Sequence, residues 1–271
     1  MTKVRGAQAH AVVTGGSSGI GLATARLLAS KGASVSLIAR GGERLEEAAA
    51  GLRASGAVVR TAAVDVSDQA ALTAAIDGFV AEGGPCDILI TAAGLARPGH
   101  FLELSDEVFR SMIEVDYFGT LHAIRAVAPG MVERGNGAIV AISSATAVLG
   151  FFGYTAYAPA KFAVRGLMEA LRSELKPAGV HVGCVFPPDV DTPQLAEENL
   201  YKPAETAAIS GAIKPITADK VAATIVRSIE RRRFAVYPDP GIAVLAGLGP
   251  LLAPLVRRFV DRRVRRYRAT R

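Results

Sequence analysis

Tyr157 and Lys161 stand four residues apart in the run YAPAK. In a helix that spacing stacks both side chains on one face, a turn apart, so an ammonium group can sit beside a phenol. On a solvated face the pair would mean nothing, but a lysine that tunes the acidity of the tyrosine would mean proton transfer. Lowering a phenol from pKa ~10 to ~7 takes roughly 4 kcal/mol, and one positive charge about 4 Å away supplies that at an effective dielectric of ~20. Thirteen residues before the tyrosine, Ser144 ends the apolar run GAIVAISS. If that run is a parallel strand, its C-terminal edge is where chemistry gathers, and serine, tyrosine and lysine converge there. A phenol so placed can give a proton to a carbonyl oxygen as hydride arrives, or take it back from an alcohol. Pro159 falls early enough in the helix that its missing N–H costs little.

A hydride source is implied upstream. TGGSSGIG, residues 14–21, follows an apolar run and opens a helical one. Gly15, Gly19 and Gly21 let backbone approach a pyrophosphate, and the helix N-terminus turns free N–H groups toward it. Folds that bind NAD place an acid at the end of the second strand. Here Arg40 stands there, with Arg44 one turn on. Two guanidinium groups suit the 2′-phosphate of NADP, the alternative being ordinary surface arginines. Asp65, in AVDVSD, is read as a partner for the adenine amino group or as an N-cap or turn residue.

These residues need a frame. AVVT (11–14), ASVSLIA (33–39), VVRTAAV (58–64), DILITA (87–92), GAIVAIS (137–143) and VHVGCVF (180–186) read as strands apolar enough to be covered on both faces. Helical stretches such as GLATARLLASKG and GGERLEEAAAGLRASG separate them. The alternation predicts an α/β fold, a Rossmann-type doubly wound parallel sheet with helices on both faces. FAVYP (234–238) is the expected last strand, closing a single domain over 1–240.

Composition narrows the function. Residues 257–271 carry eight arginines and one aspartate, a charge of +7 against +6 for the whole chain, so the other 256 residues come to −1. The basicity belongs to a tail, which argues against a nucleic-acid-binding body. Cys86 and Cys184 lie in apolar runs and read as buried free thiols in a reducing compartment. The four histidines show no metal-ligand spacing, and no metal is expected. No charged start leads into an apolar run, so no secretory signal is expected.

Taken together the motifs resemble the short-chain dehydrogenase/reductase family. TGGSSGIG matches its TGxxxGxG turn, and Ser144, Tyr157 and Lys161 match its S…YxxxK triad, over about residues 8–240. The resemblance implies seven parallel strands, with Ser144 orienting a carbonyl, Tyr157 as acid/base and Lys161 also holding the nicotinamide ribose. For NADPH/NADP+ it implies Gly15, Ser17, Ser18, Gly19, Ile20 and Gly21 at the phosphates and Arg40, Arg44, Asp65 and Val66 at the adenosine. Ala93, Gly94, Pro187, Val190 and Thr192 complete the cofactor set with Tyr157 and Lys161. GFFGYTAYAPAKFAVRGLMEALRSELKP and FPPDVDTPQLAEENLYKPAETAAIS are similar to the branch that reduces 3-ketodihydrosphingosine. That implies a long-chain keto sphingoid base as substrate, another lipid ketone (3-ketoacyl or steroid) or a non-catalytic NADP sensor being the alternatives. Pro188, where the wider family has glycine, fits that branch. The substrate loop is expected at 188–210, where Glu197 and Glu198 either attract the amine or belong to a solvated loop. Two residues depart from the family. Asp116 replaces the asparagine that holds a proton-relay water, and TAAG (91–94) replaces NxAG, its threonine expected to bond backbone.

The end of the chain is distinct. GIAVLAGLGPLLAPLV (241–256) is apolar for sixteen residues, short of the roughly 20 a spanning helix needs. Beyond it Val256, Phe259, Val260, Val264 and Tyr267 share one helical face opposite most of the arginines. The pattern suits a helix lying on an anionic membrane, a dimer contact and a solvated end being the alternatives. The expectation is a cytoplasmic homo-oligomer touching the cytoplasmic face of a membrane through residues 241–271.

Overall fold

The structure, a computed structural model, describes residues 9–206 and 214–269. Six strands follow the apolar runs closely: β1 (His10–Thr14), β2 (Ser34–Ala39), β3 (Val59–Ala63), β4 (Ile88–Thr91), β5 (Gly137–Ile142) and β6 (Val180–Val185). Two short strands, β7 (Val190–Asp191) and β8 (Ile216–Thr217), pair with each other. The last, β9 (Ala235–Val236), is the core of FAVYP and joins β6. The main sheet has seven strands in the order β3-β2-β1-β4-β5-β6-β9, and every pairing is parallel. Between β1 and β4 the winding direction reverses, and the strand ends there form a crevice.

Helices cover both faces because alternate residues of each strand need cover. On one face Ala11, Val13, Val35 and Leu37 pack with Leu28 of α1 (Gly19–Ser30), Leu45 of α2 (Gly42–Ala54) and Ile225 of α8 (Ala218–Glu230). On the other, Val12, Leu89 and Ile139 pack with Ile76 of α3 (Gln69–Gly83), Met131 of α5 (Gly119–Glu133) and Met168 of α6 (Tyr157–Leu175). A short α4 (Asp106–Met112) enters α5 through a π-helical turn, Ile113–Phe118. After β7 comes α7 (Pro193–Asn199), capped by Thr192, whose Oγ1 accepts from Leu195 N at 3.2 Å. Cys86 and Cys184 are free and buried, and burial pushes each thiol up to about 12. Among the described residues no group of histidine, cysteine and acid side chains could hold a metal ion.

The chain ends in α9 (Pro240–Ala269), which bends by 117° between Pro240–Gly249 and Ala253–Arg266. Pro250 and Pro254 each remove a backbone donor there, a sufficient cause for a sharp bend. No single helix among the described residues is long and apolar enough to cross a membrane. Val256, Val260 and Val264 are half-buried and Phe259 is exposed, while the side chain of Tyr267 lies outside the described residues.

His181, in β6, is buried, and its Nε2 has no hydrogen-bond partner among the described residues. Burial, reinforced by the charge of Arg232, lowers its pKa from 6.5 to about 4. The unfolded chain therefore takes up a proton that the folded one refuses. Stability falls as pH drops below about 6.5 and the loss levels off near 4, reaching about 2 kcal/mol at pH 5. His181→Leu should flatten that part of the pH dependence in urea melts between pH 7 and 5. Parallel losses in the two proteins would put the acid sensitivity elsewhere.

Candidate active site

The glycine turn has no room for side chains. Gly15 has φ +69°, and a Cβ there would lie 2.6 Å from the Ala92 and Ala93 backbone. A Cβ on Gly21 would meet Gly15 O at 2.2 Å. The turn is thereby pressed against the end of β4. Ser18, at the N-cap of α1, makes no side-chain capping bond, so the first N–H groups of the helix stay open to an anion. A Cβ on Gly19 would lie 3.0 Å from the Thr192 methyl, which places the loop after β6 over the turn.

From this turn a cavity of about 960 Å3 runs in two directions. At one end are Arg40, Arg44, Asp65 and Val66; at the other are Ser144, Tyr157, Lys161 and Pro187. Every residue named from the sequence for the cofactor lines this cavity, including Ser17, Ile20, Ala93, Gly94 and Val190. Asp65 also serves the turn: its Oδ1 accepts from Ser67 N at 2.9 Å and Ser67 Oγ at 2.7 Å. Burial works to raise its pKa, but the Ser67 bonds and the charge of Arg40 outweigh it and hold the carboxyl below its usual range. The N-cap of α3 is Asp68 instead.

Ser144 leaves the end of β5 into a short 3-10 turn, Ala145–Ala147, where its Oγ accepts from Thr146 N at 3.1 Å. Its neighbour Ser143, which sequence reasoning missed, donates from Oγ to Lys161 O at 2.9 Å and ties α6 to the strand. Asp116 is wholly buried and does not line the cavity. Its Oδ1 accepts from Leu95 N at 2.9 Å and lies 3.4 Å from Lys161 Nζ, which also donates to Ile142 O at 3.2 Å. Asp116 Oδ2 has no partner among the described residues. Burial raises the pKa of this carboxyl, and the lysine charge opposes the rise. A Cβ on Gly94 would lie 2.7 Å from Asp116 Oδ1 and 3.3 Å from Lys161 Nζ, so the ion pair requires a glycine there.

Two expectations are corrected. Lys161 does not bring the phenol down on its own. Burial pushes Tyr157 well above its usual value, Asp116 and Glu198 push the same way, and only the bond with Ser144 works against them. The lysine ammonium lies 5.5 Å from the tyrosine ring centre and is engaged by Asp116. Thr91 does not bond backbone either: its buried Oγ1 has no partner among the described residues. The nearby donors are taken, Ala92 N by Thr14 O and Ala93 N by Thr14 Oγ1. An orphaned hydroxyl of this kind costs about 1–3 kcal/mol.

The expected substrate loop closes the cavity, although its last residues, 207–210, lie outside the described residues. Glu198 is buried, whereas Glu197 is exposed. Tyr154 donates to Glu198, Lys202 Nζ bridges Glu198 at 3.2 Å and Asp189 at 3.1 Å, and the Arg97 guanidinium lies 3.2 Å over the Tyr201 ring. Of these only the acidic pair had drawn notice in the sequence. The i,i+4 spacing of Glu198 and Lys202 was the available signal.

Comparison with known proteins agrees with this geometry. The model of the family described as short chain dehydrogenase matches residues 9–202. The 3-ketodihydrosphingosine reductase of Dictyostelium discoideum is 38% identical over 270 residues, spanning 93% of this chain and 81% of that one. A short-chain dehydrogenase/reductase from Burkholderia phymatum in complex with NAD superposes with TM-score 0.82 at 27% identity, covering 91% of this chain and 94% of that one. A short-chain dehydrogenase from Sphingobium yanoikuyae in complex with NADPH gives 0.78 at 28% identity, covering 92% and 95%. With its glycine turn, parallel sheet and serine–tyrosine–lysine set in the same cleft, the chain belongs to the short-chain dehydrogenase/reductase family of oxidoreductases.

Proposed function

We propose that the protein reduces the 3-keto group of 3-ketodihydrosphingosine to the alcohol, with NADPH as hydride donor and Tyr157 as proton donor. The observation that carries the chemistry is the buried Tyr157 phenol lining one end of the cavity with Ser144 and Lys161, where burial and nearby acids favour its protonated form. A protonated phenol is the form that reduction consumes. The substrate class rests on the likeness to the Dictyostelium reductase.

The residues present fit the cofactor. The side-chain-free turn at Gly15 and Gly21 and the uncapped start of α1 suit a pyrophosphate, and the cavity end at Arg40 and Arg44 offers two cations to a 2′-phosphate. NADPH supplies the hydride when bound there. Ser144 Oγ accepts Thr146 N–H, which leaves its own hydrogen for the carbonyl or phenol oxygen. Lys161 would hold the ribose through its ammonium, and Asp116 positions that ammonium and compensates its charge. An apolar wall of Leu95, Met112, Val115, Phe151, Phe152 and Leu195 suits an alkyl chain.

A peripheral contact with the cytoplasmic face of a membrane belongs to the same reading. It is supported by the exposed Val244, Leu248, Leu251, Leu255 and Phe259 on α9 and by the arginines that follow. Ile242 of that helix lines the cavity, so a truncation that tests the contact should spare it.

Purified protein should oxidise NADPH in the presence of 3-ketodihydrosphingosine, with NADH a much poorer donor. Tyr157→Phe should lower turnover at least about a hundredfold with cofactor affinity kept; a variant near parental activity would remove the phenol from the reaction. Asp116→Asn takes away a negative charge that raises the tyrosine pKa. The alkaline limb of kcat/KM for reduction should therefore move to lower pH. An unmoved limb would show that the carboxyl does not bear on the phenol. Deleting 251–271 should abolish flotation with anionic vesicles while leaving reduction of a detergent-dispersed substrate, and equal flotation of both forms would sink the membrane contact.

A further inference from the structure

Glu198 combines features that its exposed neighbour Glu197 lacks. It is 8% exposed, it lines the cavity, and its Oε1 receives both the Tyr154 hydroxyl and Lys202 Nζ. No hydrogen bond or ion pair reaches its Oε2 among the described residues. The Tyr154 ring centre is 6.0 Å from that of Tyr157, so the carboxylate belongs to the reacting end of the cavity. Lys202 is shared with Asp189, so two carboxyl groups meet one ammonium, and burial raises the Glu198 pKa against the bonds from Tyr154 and Lys202. Arg97, a further cation on the cavity wall, is laid over the Tyr201 ring. With both carboxyls ionised the cluster has one negative charge in excess, and at the buried Glu198 that charge is unfavourable unless a cation meets it. Lys202, its side chain only 9% exposed, already displays the setting these carboxylates offer to a primary amine.

We propose that Glu198, held by Tyr154, receives the primary ammonium of a substrate whose amine is borne on the carbon next to the reacting ketone. The inference rests on the substrate reading above and deepens it. In such a 2-amino-3-ketone the nitrogen and the carbonyl oxygen are joined through two carbons only. A group that grips the ammonium therefore also sets the carbonyl against Tyr157 and Ser144. Glu198 acts in selection and orientation, while the proton and hydride transfers involve other groups. A long-chain ketone without the amine leaves the excess charge unmet and loses this orientation.

The test compares parent, Glu198→Gln and Glu198→Asp on 3-ketodihydrosphingosine and on the same long-chain 3-ketone lacking the amine, with NADPH affinity as the check on folding. The ratio of the two kcat/KM values, aminoketone over amine-free ketone, should fall at least tenfold in Glu198→Gln, mainly through KM for the aminoketone. Glu198→Asp should restore part of it. Binding of hexadecylamine relative to hexadecanol, read by displacement of a fluorescent alkyl probe, should fall in the same way and does not depend on turnover. An unchanged ratio, or equal losses on both ketones with unchanged amine binding, would overturn the role of Glu198. A parent enzyme that reduces the amine-free ketone and ignores the aminoketone would instead overturn the substrate reading, and the amine-binding comparison would still decide whether the carboxylate takes an ammonium.

Discussion

Lys161 brings a full positive charge to a place almost closed to water, and Asp116, 3.4 Å away, offsets it there. Burying two charges is costly unless the geometry is good and their remaining bonding positions are filled. Several features of the fold serve that pair. Gly94 has no Cβ to push into it, Leu95 N donates to the carboxylate, and Ile142 O accepts a hydrogen bond from the lysine at the end of β5. The π-helical turn Ile113–Phe118 carries Asp116 inward, and Ser143 fastens the start of α6 to the strand edge. The C-terminal edge of the parallel sheet is thus where strand ends, helix starts and charges meet.

The pair also shapes what Tyr157 can do. A lysine free to face the phenol would favour the phenolate, but this lysine is largely answered by a carboxylate. Burial and the acidic groups then dominate, and the phenol stays protonated. Ser144 supplies the counterweight, a hydrogen bond that stabilises the oxygen as the proton leaves. In the proposed reduction this phenol would give up its proton under a contest between a dry setting and one directed bond, with the cation acting through its partner.

The frame was legible because its signals are local. Apolar runs such as AVVT and GAIVAIS mark strands by composition, and the Gly15, Gly19 and Gly21 pattern marks a turn that only glycines can make. Ser144, Tyr157 and Lys161 fall in one cleft because a strand end and a helix start fix where they point. What could not be read is compensation between side chains far apart in the chain. The Asp116–Lys161 pair spans 45 residues and Tyr154–Glu198 spans 44, so the sign of the Tyr157 shift depended on contacts that only folding creates. Thr91 was misread for a related reason: the backbone donors that follow it, Ala92 N and Ala93 N, bond to Thr14 on the neighbouring strand.

The amphiphilic substrate proposed above would impose opposite demands on one cavity, and the residues beyond the serine, tyrosine and lysine divide accordingly. Polar groups cluster where Tyr154, Asp189, Glu198 and Lys202 meet, while Leu95, Met112, Phe151 and Leu195 form an apolar wall. The same cavity includes Ile242, from the first turn of α9. Leu248 lies six residues further along that helix and is exposed, about 9 Å away at the usual helical rise. A lipid surface gripped by this helix would therefore sit within two turns of the cavity lining. An alkyl chain could pass from one apolar environment to the other with little exposure to water, which matters because each CH2 left in water instead of buried forfeits about 0.8 kcal/mol. The bend at the two prolines turns the arginine-bearing half away from the first, and in the membrane contact proposed above that half would lie along headgroups while the apolar start stays with the catalytic body.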